Sequence, residues 1–318
     1  MRRRALTSGG PLVSVQGLGT STWGTKTDCA EAAKQLEIYV RAGGNLLDCA
    51  NIYGAGRAEE FVGKLVGTIV PRAEMVLTSK AGGVLSGPKP RPDLSATHLL
   101  SSLDHSLRRM RTDYLDLWQL HTWDPDVPIE ETLSAVDRAV ASGRVRFAGV
   151  SNYSSVQLHT AAEHQTNHGV AHLASIQVEY SLLQRRIERR VQATAITHGI
   201  GILPWAPLGR GVLTGKYRQG VPERRRASAE FQRYVGRYLD DGSNRIVDRV
   251  VSVATELGVS PLAVALAWVR ERPGVVAPLV GARSAGQLAE SLTPQAVHLT
   301  LEPGVQAMLD HVSAPAEV

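Results

Sequence analysis

The chain repeats one unit about eight times: a short apolar run, a turn, then an amphipathic stretch of helical length. Runs at 44–50 (GNLLDCA), 74–80 (EMVLTSK), 115–121 (LDLWQLH), 146–152 (RFAGVSN), 175–180 (SIQVEY), 201–207 (GILPWAP) and 275–282 (VVAPLVGA) are continuous rather than alternating. That pattern suits strands covered on both faces. VSVQGLGT at 13–20 is either an eighth strand or a hairpin plugging the bottom of a barrel. Helices are expected at 29–42, 57–67, 95–110, 129–142, 154–164, 186–198, 244–257 and 284–292, with a last one at about 303–313. Ser95 is placed to cap the third and Gly43-Gly44 to stop the first. Such repeated alternation predicts an α/β fold of the (β/α)8 TIM barrel type rather than a doubly wound sheet. No composition shift marks a boundary, so one barrel domain over 1–318 is expected. Two long loops, 82–93 and about 208–243, would sit on one face, and loops of that length usually carry function.

Composition narrows the class. The chain is 43% hydrophobic and 20% charged, as in a soluble globular protein. Its net charge is +5 without a basic run interleaved with aromatics, so nucleic acid is not the expected partner. No apolar stretch reaches the length of a membrane span, and the basic start at 2–4 has no apolar segment after it, so neither a membrane nor a signal peptide is expected. Cys29 and Cys49 form no metal or redox spacing and read as reduced thiols of a cytoplasmic protein. No H-x-H or clustered His/Asp set is visible, so no metal is expected. The histidines at 98, 105, 159, 164, 168, 172, 198, 298 and 311 read as surface or packing residues.

Four polar residues stand where apolar segments stop: Asp48, Tyr53, Lys80 and His121. In a parallel barrel all four converge at one mouth, where active sites lie. A free phenol, with a pKa near ~10, is a poor acid at neutral pH. A cation beside it favours phenolate, and Lys80 supplies one, so the Tyr53 pKa is expected to fall. A buried lysine needs a counter-ion, which Asp48 supplies. His121 then orients and polarises the substrate oxygen, and the set delivers a proton to a carbonyl.

The chain resembles the aldo-keto reductases over nearly its whole length. The carriers are GLGTSTWG (17–24), LLDCANIYGAGRAEEFVGK (46–64), VLTSK (76–80), DYLDLWQLHTWDP (113–125), AGVSNYS (148–154), QVEYSLL (177–183), PWAPLGRGVLTGKY (204–217) and GARSAGQLAES (281–291). Asp48, Tyr53, Lys80 and His121 match the family's catalytic tetrad. The resemblance implies NADPH as cofactor and a small-molecule carbonyl as substrate, reduced to an alcohol with Tyr53 as general acid. It has no Rossmann fingerprint, and the glycines of LGRGVLTG have the wrong spacing for one. By resemblance, Thr20, Ser21 and Asp48 lie along the nicotinamide end, and Ser151, Asn152 and Gln177 bond the carboxamide. Trp205 stacks on the nicotinamide, while Pro207, Leu208, Gly211, Lys216 and Arg226 follow the phosphates. Gly281, Arg283, Gln287 and Glu290 meet the adenosine end, where Ser284 opens a helix beneath the 2′-phosphate. Ser291 stands where relatives often have Asn. Arg224 and Arg225 read as solvated. Trp23 and Trp123 join Tyr53 and His121 in the substrate pocket, with Phe231 and Tyr234 as further candidates. Two other readings stay open: a sugar-nucleotide reductase of a natural-product pathway, whose arginine-rich 218–237 loop meets a diphosphate, and an NADPH-binding regulatory subunit like potassium-channel β subunits.

Overall fold

The computed structural model describes residues 1–84, 91–168, 171–221 and 223–315, and of residues 224, 225, 229 and 230 the backbone only. Half of the expected 82–93 loop, at 85–90, and the side chains of Arg224 and Arg225 therefore lie outside the described residues.

Eight parallel strands close into a barrel: β1 (Gly17–Gly19), β2 (Leu46–Asp48), β3 (Val76–Ala81), β4 (Leu115–Leu120), β5 (Val145–Ser151), β6 (Leu173–Glu179), β7 (Gly201–Trp205) and β8 (Leu279–Gly281). Each pairs with its neighbour in sequence, and β8 returns to β1. This is the (β/α)8 barrel that the repeating pattern predicts. The 13–20 segment takes both of its expected roles. Its end forms β1, while Leu12–Ser14 pairs antiparallel with Arg3–Ala5 to make a hairpin. Leu6 and Val13 of that hairpin pack with Leu46, Val76, Leu117, Leu203 and Leu279, which plugs the bottom of the barrel.

The outer ring begins with α1 (Cys29–Arg41), α2 (Arg57–Leu65), α3 (Ala96–Met110), α4 (Ile129–Ala141), α5 (Ser155–His168) and α6 (Val191–Thr197). It ends with α7 (Asp241–Glu256), α8 (Pro261–Arg270), α9 (Ala285–Ser291) and α10 (Pro303–Val312). Asp28 caps α1 by accepting from the Glu31 N–H at 2.8 Å, and Ser95 caps α3 as the sequence suggests. Helix α8 was not in the predicted set. Every residue from Leu262 to Arg270 is buried, so it carries no polar stripe by which to read a period. The expected helix at 186–198 is broken at Arg190 (φ −148°) into a 3-10 turn, Arg186–Arg189, and α6. Among the described residues no single helix is long and apolar enough to cross a membrane.

Candidate active site

Strand β2 ends on Asp48, and β3 presents Lys80 one residue before its end. His121 follows β4 directly, its backbone N–H donating to the Ala81 carbonyl at 2.8 Å. Tyr53 lies on no strand. It opens a tight turn, Tyr53–Gly56, that passes through left-handed Gly54 (φ 59°), Ala55 (φ 56°) and Gly56 (φ 92°). A Cβ on Gly54 would sit 2.9 Å from the Trp23 carbonyl, so this turn closes only over a bare Cα. The turn swings the phenol back over the barrel mouth.

There the four side chains meet. The Lys80 ammonium, wholly buried, donates to both Asp48 oxygens at 2.8 and 2.7 Å and to the Cys49 carbonyl at 2.8 Å. It stands 3.3 Å from the Tyr53 hydroxyl. The Tyr53 and His121 rings meet edge to face, 6.1 Å between centroids and 81° between planes. Asp48 also accepts from Thr78 Oγ1 at 2.9 Å and Gln177 Nε2 at 2.8 Å. A buried carboxylate held by this many donors is fixed in position and fixes the ammonium with it.

The electrostatics correct one expectation. Burial pushes the Tyr53 phenol up; Lys80 pulls it down, but the Asp48 carboxylate pushes it up again, and the net direction is upward. The predicted lowering counted the cation and left out desolvation and the anion behind it. Burial also works against the Lys80 ammonium, yet Asp48 and the Tyr53 oxygen outweigh it and hold its pKa above that of ordinary lysine. For His121, burial and then Lys80 drive the pKa down to about 3, so the imidazole is neutral at physiological pH. Its Nδ1 is buried with no hydrogen-bond partner among the described residues. A neutral imidazole and a phenol, both facing one mouth, can hold and protonate an oxygen.

Beside this cluster lies a flat polar wall. Asn152, in the left-handed region (φ 60°), donates through Nδ2 to the His121 carbonyl at 3.2 Å and to Ser151 Oγ at 3.0 Å. Its Oδ1 accepts from the Trp205 indole at 3.1 Å, which sets the angle of that half-exposed ring. At the neighbouring ends of β8 and β1, a Cβ on Gly281 would stand 3.2 Å from the Gly19 carbonyl and 3.8 Å from Ser21 Oγ, so these paired strand ends approach closely over bare Cα atoms. Lys216 folds over Gly211 (φ 88°), where a Cβ would meet its ammonium at 2.5 Å. Lys216 and Arg226 line one open cleft of about 1000 Å³ together with Arg218 and Asn244.

The aldo/keto reductase family model matches residues 17–313. Among curated proteins, the chain is 31% identical to "Protein tas" of Escherichia coli (strain K12), over 94% of both chains. It is 32% identical to a "Probable voltage-gated potassium channel subunit beta" of Oryza sativa subsp. japonica, over 92% of this chain and 90% of that one. It is also 32% identical to "Aldo-keto reductase YhdN" of Bacillus subtilis (strain 168), over 85% and 80%. The chain belongs to the aldo/keto reductase family. Membership makes it an oxidoreductase of the carbonyl-reducing kind, in a family that binds nicotinamide cofactors.

Within this aldo/keto reductase, the other expected site residues differ in how far they are exposed and in what they touch. Trp23 is fully buried and its indole donates to Gln35 at 2.9 Å, so it belongs to the core and not to a substrate pocket. Thr20 is also fully buried, its hydroxyl bonded to the Asp48 carbonyl at 2.9 Å. Phe231 is buried against Tyr217, ring centroids 5.6 Å apart. Trp123, half-buried, packs edge-on to Tyr153 at 5.2 Å. Pro207 is buried and Leu208 half-buried at the start of the turn that carries Gly211. Ser284 does cap α9, accepting from the Gln287 N–H, but the Ala285 N–H is already taken by Glu31 Oε1 at 2.5 Å. Arg283 and Gln287 are exposed around that helix start, and Glu290 is exposed near its end. Ser291 is fully buried, accepting from Gln16 and donating to the Leu288 carbonyl.

Two contributors, Thr78 and Arg210, were not foreseen, while Gln177 was expected beside a carboxamide and stands on Asp48 instead. Thr78 and Gln177 complete the hold on Asp48; Thr78 lies two residues before Lys80 and so shares its face of β3, a signal present in VLTSK. Arg210, left-handed at φ 56°, lays its guanidinium over Trp205 at 5.3 Å and Tyr234 at 4.4 Å, joining the long loop to the indole. Nothing in the string GRG announces that stack.

Proposed function

We propose that the protein reduces the carbonyl of a small aldehyde or ketone with NADPH, Tyr53 acting as general acid. The observation that carries this reading is the buried Asp48–Lys80 pair, with its ammonium 3.3 Å from the Tyr53 hydroxyl and His121 edge-on to the same ring. When bound, the reduced nicotinamide supplies the hydride. The Tyr53 phenol gives its proton to the substrate oxygen, and the Lys80 ammonium stabilises the phenolate left behind. Asp48 keeps Lys80 charged and in place. The neutral His121 ring donates to the same oxygen and orients it, and Trp123 stands at the edge of the substrate space.

The cofactor residues fit a flat dinucleotide with a diphosphate. Trp205 offers a ring face, with Asn152 bonded to its indole and to Ser151, and Gln177 on Asp48. Gly281 and Gly19 carry no side chain over their paired strand ends, and Lys216 and Arg226 bring positive charge to the open cleft. NADPH is preferred over NADH because the Arg283 guanidinium is exposed and has no carboxylate partner among the described residues. With Glu31 on the α9 N-terminus, the 2′-phosphate is met by Arg283 rather than by the helix. Two free thiols, with the Cys49 thiol pushed up to about 12 by burial and hence inert, suit a reducing cytoplasm.

The test is a panel of aldehydes and ketones with NADPH and NADH side by side. NADPH oxidation is expected with part of the panel, and Tyr53→Phe is expected to lower kcat by about 10²–10⁴-fold while still binding NADPH. Cofactor binding without turnover of any carbonyl would favour a regulatory subunit and overturn the enzyme reading. So would a Tyr53→Phe variant that turns over as fast as the parent.

A further inference from the structure

The barrel mouth uses one histidine of ten. Three-dimensional packing gathers two of the others with a glutamate on the outer face, where α5 meets the end of α6. The sequence shows no clustered His/Asp set; folding brings this one together. His159 and Glu163 are one helical turn apart and share a face of α5. His198 is the residue that closes α6. His159 Nδ1 stands 3.0 Å from His198 Nε2, and Glu163 Oε1 lies 3.8 Å from His198 Nδ1. One ligand atom from each of the three falls within 4.8 Å of the others.

We propose that His159, Glu163 and His198 bind a divalent transition metal of the zinc class. Zinc bonds of about 2.0–2.1 Å in a tetrahedron put neighbouring ligand atoms about 3.4 Å apart. The two imidazole nitrogens are already near that spacing, so the ion replaces the hydrogen bond between them. The Glu163 carboxylate closes the remaining gap by a rotation, which its 47% exposed side chain allows. Two nitrogens and one carboxylate select zinc, cobalt or nickel over calcium or magnesium, which require shells of oxygen. Three protein ligands leave a fourth position for water. The site is remote from the barrel mouth. His198 precedes Gly199 (φ 65°) and the start of β7, so the metal ties α5 to the chain that leads into that strand.

Because one ligand is exposed on a helix surface, the site can be removed without disturbing the core: His159→Ala deletes no buried contact. The experiment uses the full chain without a histidine tag, stripped with chelator. Zn²⁺ is titrated by calorimetry, and Co²⁺ is added to record its visible ligand-field bands. One equivalent of Zn²⁺ is expected to bind, unaffected by excess Mg²⁺, with Co²⁺ showing the intense bands of low coordination. Since loss of even an outer-sphere partner weakens a metal site by about 10–100-fold, His159→Ala and His198→Ala are each expected to weaken binding by about tenfold or more. His311→Ala, an exposed histidine on α10, is expected to leave it unchanged. No stoichiometric binding in the parent, or binding that survives both ligand variants, overturns the proposal.

Discussion

His121 and Tyr53 make opposite use of the same low-dielectric mouth. The folded His121 titrates at about 3, against about 6.5 for the side chain in an unfolded chain. Between those values the unfolded state holds the extra proton, so this residue's contribution to stability is complete above about pH 6.5 and declines as pH falls toward 3. Imidazole NMR resonances of His121 are therefore expected to stay flat from pH 8 to 5; a midpoint near the ordinary histidine value would show that the ring is not held neutral. The Tyr53 phenol, raised rather than lowered, keeps its proton through neutral and mildly alkaline pH. The reduction rate is thus expected not to decline on the alkaline side until pH passes about 10, the ordinary phenol value. A decline near pH 8 would mean that Lys80 outweighs burial after all. Asp48, Lys80 and His121 were legible because polar residues at the ends of fully apolar runs have few other reasons to be there, whereas Tyr53 lies in the turn after β2 and was placed by the family resemblance. The phenol's direction of shift was not legible, because it depends on how much of the ring is dry. Trp23 and Arg210 were misplaced or missed for a related reason: each side chain's direction is set by a left-handed or tightly turned backbone that residue type alone does not specify.

Helix α8 shows where a sequence period fails. PLAVALAWVR is apolar on every side because it is packed on every side, and its only charge, Arg270, is itself fully buried. That guanidinium donates to the Ala296 carbonyl at 2.8 Å and the Leu299 carbonyl at 2.6 Å, both at the C-terminal end of the short helix Pro294–His298. It satisfies carbonyls that have no partner within their own helix and sits at the negative end of its dipole. Arg270→Leu keeps much of the apolar contact but strands those carbonyls. It is expected to destabilise the fold by about 1.5–3 kcal/mol, the range for a hydrogen bond to a charged group. Ser260→Ala, which removes the N-cap of the same helix, is expected to cost about 1 kcal/mol. Urea unfolding of both variants checks the order; an Arg270→Leu variant as stable as the parent would reduce the guanidinium to a bystander. The 208–243 segment failed in the other direction. Its glycines and arginines read as irregular, yet it contains the 3-10 turn Gly209–Thr214 and the short helices Glu223–Arg226 and Ala229–Tyr234. Pieces this short are held by capping, as Ser228 does for Phe231, and carry little periodic signal.

The barrel as a whole is not equally closed all the way round. β6 and β7 align over five residue pairs, from Ser175↔Gly201 to Glu179↔Trp205. β7 and β8 share only the pair Trp205↔Leu279 in register, with a bridge from Ile202 to Val275 below it. Proline explains the thin ladder: Pro204 within β7 and Pro278 just before β8 have no N–H to contribute. This seam separates Trp205 and Pro207 on one side from Gly281 and Arg283 on the other, the residues assigned to opposite ends of the cofactor. A dinucleotide laid across it would do what the missing hydrogen bonds do not. Amide hydrogen exchange is therefore expected to be faster at Leu279, in the single pair of the seam, than at Trp118 and Ala148, which lie in the fuller β4–β5 ladder. Saturating NADPH is expected to slow exchange at the seam in proportion to ligand excess, about 100-fold at 100 times Kd, because opening there requires the ligand to leave. Protection that rises only at the seam supports a cofactor lying across it. Protection that leaves the seam untouched while Lys216 and Arg226 are still required for binding would place the dinucleotide along the cleft alone.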